Sequence, residues 1–189
     1  MNGEVMWKAL GWPGLEHLRV RTAAGAIAAD SVLLAHVDGR PVRLLYRLEC
    51  DLDWRTRRVF VELPAHERAV TLDSPEAGRW RRARDEALPD LDGCVDVDIA
   101  LTPFTNTLPI RRLRLGAGES RELRVVYLQP PDFRPRAATQ RYTCLEQSLA
   151  GAVYRYESGQ FRADLRVDGQ GVVESYPGLW ERVRGVPSS

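Results

Sequence analysis

Lysine is almost missing from these 189 residues: Lys8 stands alone beside 26 arginines. Such a skew reflects codon usage in a GC-rich genome, and it also supplies planar guanidinium forks for two-handed contacts with carboxylates, which lysine cannot make. Cysteine is sparse too. Cys50, Cys94 and Cys144 lie far apart, with no CxxC pair and no His–Cys cluster, so neither a zinc site nor a redox pair is expected. Neither sign of charge dominates: 27 basic residues face 26 acidic ones for a net charge of +1. That leaves no global field to attract nucleic acid or an anionic membrane. No run approaches the roughly 18 apolar residues of a membrane span. The start, MNGEVMWKALGW, has no charged segment followed by an apolar one, so no signal peptide is expected. A cytoplasmic protein with reduced thiols follows.

What is present is alternation. Over residues 42–54 the even positions read Val42, Leu44, Tyr46, Leu48, Cys50, Leu52, Trp54, and the odd ones are mostly charged. That is a strand with one buried and one wet face. At about 3.3 Å per residue it would run roughly 40 Å, so it has to bend. Val59, Val61 and Leu63 repeat the pattern, as do Val95, Val97 and Ile99, then Leu123, Val125 and Tyr127, then Phe161, Ala163, Leu165 and Val167. Turn signals separate these runs: Ala24-Gly25, Asp38-Gly39, Gly116-Ala117-Gly118, Ser158-Gly159 and Asp168-Gly169. The expectation is a mainly β protein, a many-stranded antiparallel sheet meandering and rolled on itself without βαβ units. One domain over residues 1–184 and a flexible tail over 185–189 complete that reading.

Two stretches depart from the pattern. Residues 74–88, SPEAGRWRRARDEAL, have helical propensity but no apolar recurrence at i, i+3, i+4, and Gly78 interrupts them; a strand is expected. Residues 102–116, TPFTNTLPIRRLRLG, read as the one short helix, spanning 105–115. Thr107 can cap it, Pro109 fits its first turn and Gly116 can close it. A rolled sheet needs a filler, and this helix supplies one.

The candidate chemistry is thin. Asp90, Asp92, Asp96 and Asp98 resemble half of a calcium loop, but no Glu stands at the twelfth position. Asp96 and Asp98 are better read as partners of Arg111 and Arg112, pinning helix to sheet. No metal or cofactor is expected. There is no GxSxG elbow and no phosphate-cradling glycine motif. His36 sits in an apolar run as a core or wall residue. His17 has Glu16 beside it, although neighbours on a strand face opposite ways. Arg81, Arg82 and Arg84 near Trp80 are offset by Asp85 and Glu86 and read as a solvated face. The aromatic set of Trp7, Trp12, Trp54, Trp80, Trp180, Tyr142, Tyr154, Tyr156 and Tyr176 fills a core or lines a concavity that stacks sugars and amphiphiles.

Several strings carry a family resemblance: GLEH at 14–17, YRLECDLDWRTR at 46–57, LDGCVDVDIALTPFTNTLPIRRL at 91–113, QRYT at 140–143, and YRYESGQFRADLRVDGQGVVESYPGL at 154–179. Together they resemble the putative glycolipid-binding family of bacterial proteins over nearly the whole chain. The resemblance implies a spiral β-roll wrapped round one helix and a homodimeric assembly. It supplies no catalytic residues.

The functional expectation is a non-enzymatic protein holding a glycolipid or other amphiphile between sheet and helix or at the dimer seam. Thr105, Asn106, Arg111 and Arg112 would meet the polar head, flanked by Trp54 and Tyr142. Two alternatives stand beside it: an enzyme using Glu16, His17, Asp51 or Asp96 on a sugar or ester, and a purely structural dimeric interaction module.

Overall fold

The computed structural model describes residues 2–37, 39–82 and 85–184. Asp38, Arg84 and the tail 185–189, for which a turn, a solvated face and flexibility were expected, lie outside the described residues. The strands are β1 (Gly3–Ala9), β2 (Gly14–Ala23), β3 (Ala26–Val37), β4 (Arg40–Asp51), β5 (Thr56–Leu63), β6 (Arg68–Glu76), β7 (Arg79–Arg82), β8 (Glu86–Ala87) and β9 (Asp96–Ile99). After the helix α1 (Thr107–Leu113) come β10 (Ser120–Leu128), β11 (Arg136–Gln147), β12 (Gly151–Ser158), β13 (Phe161–Asp168), β14 (Val173–Tyr176) and β15 (Trp180–Arg182).

Among the described residues, the fifteen strands form one sheet in the order β8-β7-β6-β5-β4-β3-β2-β1-β15-β14-β13-β12-β11-β10-β9. The sheet keeps two edges, β8 and β9, so it is a roll and not a closed barrel. Its first half runs from β1 outward to β8. The chain then crosses to the other edge and returns strand by strand until β15 pairs with β1. The far edge folds under the first half: the Thr56 N–H donates to the Val95 carbonyl at 3.3 Å, and the Trp80 indole N–H to the Cys94 carbonyl at 2.6 Å.

Every neighbouring pair is antiparallel except β9 and β10, which are parallel. This corrects the expectation that βαβ units are absent. A parallel pair needs a crossover, and residues 100–119, with α1 among them, are that crossover. Gly116-Ala117-Gly118 therefore ends the crossover and is no hairpin. The helix goes inside the roll, burying Thr107, Leu108, Pro109 and Ile110, and Leu108 and Ile110 join one core with Trp7, Leu18, Leu33 and Leu44.

Alternation places side chains well along most strands, with informative departures. β4 stops at Asp51 instead of running on to Trp54. Asp51 Oδ1 accepts the N–H groups of Asp53 and Arg55 at 3.0 and 2.9 Å, and the chain reverses into β5. Leu52 is left exposed at the tip, and Trp54 reaches the core through a left-handed backbone, φ +65°. The stretch 74–88 is strand, as expected, folded back at Gly78 with φ +79°. Arg81 and Arg82 there pair with Asp85 and Glu86. His36 points outward, exposed, while Ala35 beside it is buried; the apolar run around it lies on alternating faces.

β9 is the strongest departure. Its acidic positions were read as one face of a half-buried strand, yet Asp96 and Val97 are both fully buried, because the roll covers the core face and α1 covers the other. Asp96 is held by the fork of Arg112, with Nε to Oδ1 at 3.0 Å and an Nη to Oδ2 at 2.5 Å. Burial pushes the Asp96 carboxyl up and the guanidinium pulls it back, so the pair fixes where the helix sits while adding little net stability. Removing one partner is different. Arg112→Ala is expected to cost about 3–5 kcal/mol in urea unfolding, because it strands a buried charge. Adding Asp96→Asn should then restore a substantial part of that loss; a further loss would show that packing, and not the uncompensated charge, sets the cost.

Candidate functional site

The helix start is built differently from the sequence expectation. Thr107 lies inside the helical run, and its Oγ1 is buried without a partner. A 3-10 turn, Phe104–Asn106, leads directly into α1. The capping group is Thr102, whose Oγ1 accepts the Phe104 N–H at 3.0 Å, with Pro103 following where no donor is needed. At the other end Arg114 takes the left-handed conformation (φ +50°) and its N–H bonds to the Ile110 carbonyl, so Gly116 is not the closing residue. Its N–H goes to Glu119 instead.

Thr102 is itself tied to the sheet. Its hydroxyl donates to Glu16 Oε1 at 2.8 Å, and the same oxygen accepts Ser31 Oγ at 2.9 Å and Tyr46 OH at 2.6 Å. Glu16 is fully buried, and its Oε2 has no partner. Burial pushes this carboxyl up to about 7 against the pull of the three hydroxyls.

Beside Thr102 opens a cleft of about 410 Å³, within the range of about 300–1,000 Å³ typical of ligand pockets. Register explains its lining. Asp98 on β9 lies beside Tyr127 on β10, which lies beside Arg136 on β11, one row across three strands. Tyr142 and Tyr156 face each other across β11 and β12, with ring centroids 5.2 Å apart. Tyr156 then meets Phe161 at 6.0 Å and Tyr176 at 6.4 Å. Opposite, Trp12 from the β1–β2 turn stands perpendicular to Trp180 at 5.6 Å. Asn106 and Thr102 close the helix side. Phe161, 44% exposed, forms the rim.

The polar floor is Asp98. Its Oδ1 accepts Thr105 Oγ1 at 3.1 Å, and its Oδ2 accepts Gln140 Nε2 at 2.6 Å and Tyr156 OH at 3.5 Å. Burial pushes its carboxyl up, opposed by these donors. Burial and the Asp98 charge together push the Tyr156 and Tyr176 hydroxyls well above the ordinary phenol range, so both are neutral donors facing the cleft.

Of the six residues read as ligand-binding, Asn106 lines this cleft. Thr105 and Tyr142 stand behind it, Thr105 on Asp98 and Tyr142 donating to Asn106 Oδ1 at 2.8 Å. The other three lie elsewhere. Arg112 belongs to Asp96. Arg111 sits over the Trp54 ring at 5.1 Å and donates to the Gln170 carbonyl, so the expected second Asp–Arg pairing gives way to a cation–π contact. Sequence reasoning passed over Asp98, Tyr127, Arg136 and Phe161 as members of one cleft; the signal available was aromatic and charged residues on one face of successive strands. The groups weighed for catalysis do not converge. Glu16 is inside, His17 is on the outer face against Glu4 at 3.2 Å, Asp51 holds a turn and Asp96 holds Arg112. Among the described residues no group of three or more metal-binding side chains occurs, and no helix is long and apolar enough to cross a membrane.

The chain matches the model of the family described as "Putative glycolipid-binding" over residues 4–182, and it belongs to that family. It is also similar to the crystal structure of a DUF1089 family protein from Pseudomonas aeruginosa, with a TM-score of 0.77 and 40% identity, covering 89% of this chain and 92% of that one. No curated protein matches.

The buried Glu16 makes stability depend on pH. Its value rises from an ordinary 4.5 to about 7 in the folded protein, so its stabilising contribution is complete below the lower value and is lost as pH rises through the upper one. Unfolding free energy is expected to fall by up to about 3 kcal/mol from this residue between about pH 4.5 and pH 8. Urea titrations across that window should show the wild-type slope flattened in Glu16→Gln. Equal slopes in both proteins would mean that Glu16 does not titrate there.

Proposed function

We propose that this member of the glycolipid-binding family binds the sugar head of an amphiphile in the aromatic cleft at the start of α1 and performs no chemistry on it. The observation that carries the reading is the juxtaposition of Tyr156, Phe161, Tyr176 and the Trp12–Trp180 pair with one half-buried carboxylate, Asp98. Ring faces stack on the apolar faces of a sugar, and a few oriented polar groups fix its hydroxyls. Phenol hydroxyls held neutral donate, and the Asp98 carboxyl accepts. Phe161 at the rim offers the acyl or alkyl tail an apolar surface on its way out.

The proposal extends to a bacterial cytoplasmic setting and to the homodimer that the family resemblance implies. The dimer is measured by sedimentation equilibrium.

Trp12 and Trp180 make the cleft its own reporter. Dodecyl β-D-maltoside, added below its micellar concentration, is expected to change the tryptophan emission in a saturable way. An octaethylene glycol ether with the same dodecyl tail should do so far more weakly. Phe161→Ala, at an exposed position, is expected to weaken maltoside binding about five- to tenfold, roughly 1–1.4 kcal/mol, with an unchanged melting temperature. Equal responses to both amphiphiles, or none to either, would defeat the reading.

A further inference from the structure

Two carboxylates stand two residues apart on β9 and are treated differently. Asp96 has a cation, the fork of Arg112. Asp98 has none. Its donors are a threonine hydroxyl, a glutamine amide and a tyrosine hydroxyl, all uncharged. Among the described residues lining the cleft, Arg136 is the one cation and Asp98 the one carboxylate, and the two do not pair. Arg136 lies over the Tyr127 ring at 4.6 Å and reaches Gln129 Oε1 at 3.4 Å. The causes that shift the Asp98 carboxyl are burial and those neutral donors, with no guanidinium among them.

A carboxylate drawn largely out of water, as half-buried Asp98 is, is costly without a counter-ion unless a cation arrives or a proton neutralises it. This one opens onto a cleft whose walls are aromatic faces, and the face of an aromatic ring carries the negative end of its quadrupole. Charge and quadrupole thus favour the same kind of guest. An ionised carboxylate has about four lone-pair sites. Here three donors are in place and the third, Tyr156 OH at 3.5 Å, is long, so an incoming N–H group has somewhere to bond.

We propose that the headgroup taken by this cleft carries a positively charged nitrogen, and that it is an amino sugar whose ammonium pairs with Asp98 while its ring lies against Tyr156 and Tyr176. The assignment rests on the glycolipid reading of the cleft and narrows it. A neutral sugar meets the aromatic walls equally well but leaves the Asp98 charge uncompensated. An N-acetylated sugar loses the cation and adds bulk at the same atom.

The test compares three dodecyl glycosides by tryptophan fluorescence on the wild-type protein, with dodecylphosphocholine as a fourth probe. The glycosides are the 2-amino-2-deoxyglucoside, its N-acetyl form and the plain glucoside, at about pH 6.5, below the range in which such amines lose their proton. The amino glycoside is expected to bind about tenfold or more tighter than the other two, the scale of one charge-assisted contact. In Asp98→Asn that preference should collapse to about threefold or less while the plain glucoside still binds. Equal affinity for all three glycosides in the wild type would overturn the amino-sugar assignment and leave the glycolipid reading standing. Dodecylphosphocholine binding as tightly as the amino glycoside would also overturn it, by placing the recognised nitrogen on a head without a sugar. Absence of binding to any glycoside would remove the glycolipid reading itself. The wild-type comparison needs no variant, so a poorly folded Asp98→Asn protein would not blunt it.

Discussion

β9 lies parallel to β10, and a parallel pair cannot be closed by a hairpin. The chain must leave the end of β9, cross over and return in the same direction. In an open sheet a crossover packs against one face. In a sheet already rolled on itself, that face is the inside. The one parallel pairing among the fourteen neighbouring pairs of described strands therefore carries the start of a helix, with its polar groups, into the middle of the fold. Most of what is unusual about the interior follows from that step.

A helix start arrives with unsatisfied N–H groups, and at this buried start water is not there to meet them. Thr102 caps the start and is anchored through Glu16 to Ser31 and Tyr46, its own hydroxyl and those of two strands converging on one oxygen. Arg112, in the last turn, takes Asp96. These groups are buried because the helix is buried, and their partners show what they are for. Asp98 belongs to the same strand and the same crossover, but its surroundings differ: neutral donors behind it and a cleft in front. The structural carboxylate, Asp96, has a cation and is fully buried; the cleft-facing one, Asp98, has neutral donors and is only half-buried.

Period-two alternation made most strands legible in the sequence, and the turn dipeptides separated them. The helix was legible from its capped, proline-containing start, although its cap is Thr102 and not Thr107. Three things were hidden for physical reasons. Alternation reports which residues share a face, but not whether that face meets water; β9 looks half-buried in sequence and is covered on both sides. A positive φ at a bulky residue leaves no local trace, so Trp54 seemed to continue β4 when it follows a reversal. The cleft is the third. Its walls come from Trp12, Asp98, Tyr127, Tyr156, Phe161, Tyr176 and Trp180, far apart along the chain and joined only through register. A tyrosine that fills a core and one that lines a cleft give the same sequence signal.

The stretch 102–113, one of those that carry the family resemblance, contributes few cleft-facing groups, and this is consistent with its role. Its threonine, asparagine and arginine side chains mostly satisfy the crossover: Thr102 caps it, Thr105 braces Asp98, Asn106 receives Tyr142, and Arg112 holds Asp96. Where a polar group of the segment answers a specific partner, little change is tolerated, because a replacement strands that partner. The cleft's aromatic wall is under a looser constraint. Many flat rings would stack on a sugar, whereas the carboxylate facing them has to be fixed in place. The demanding geometry and the recognition meet in Asp98, which the crossover positions from behind and the cleft exposes in front.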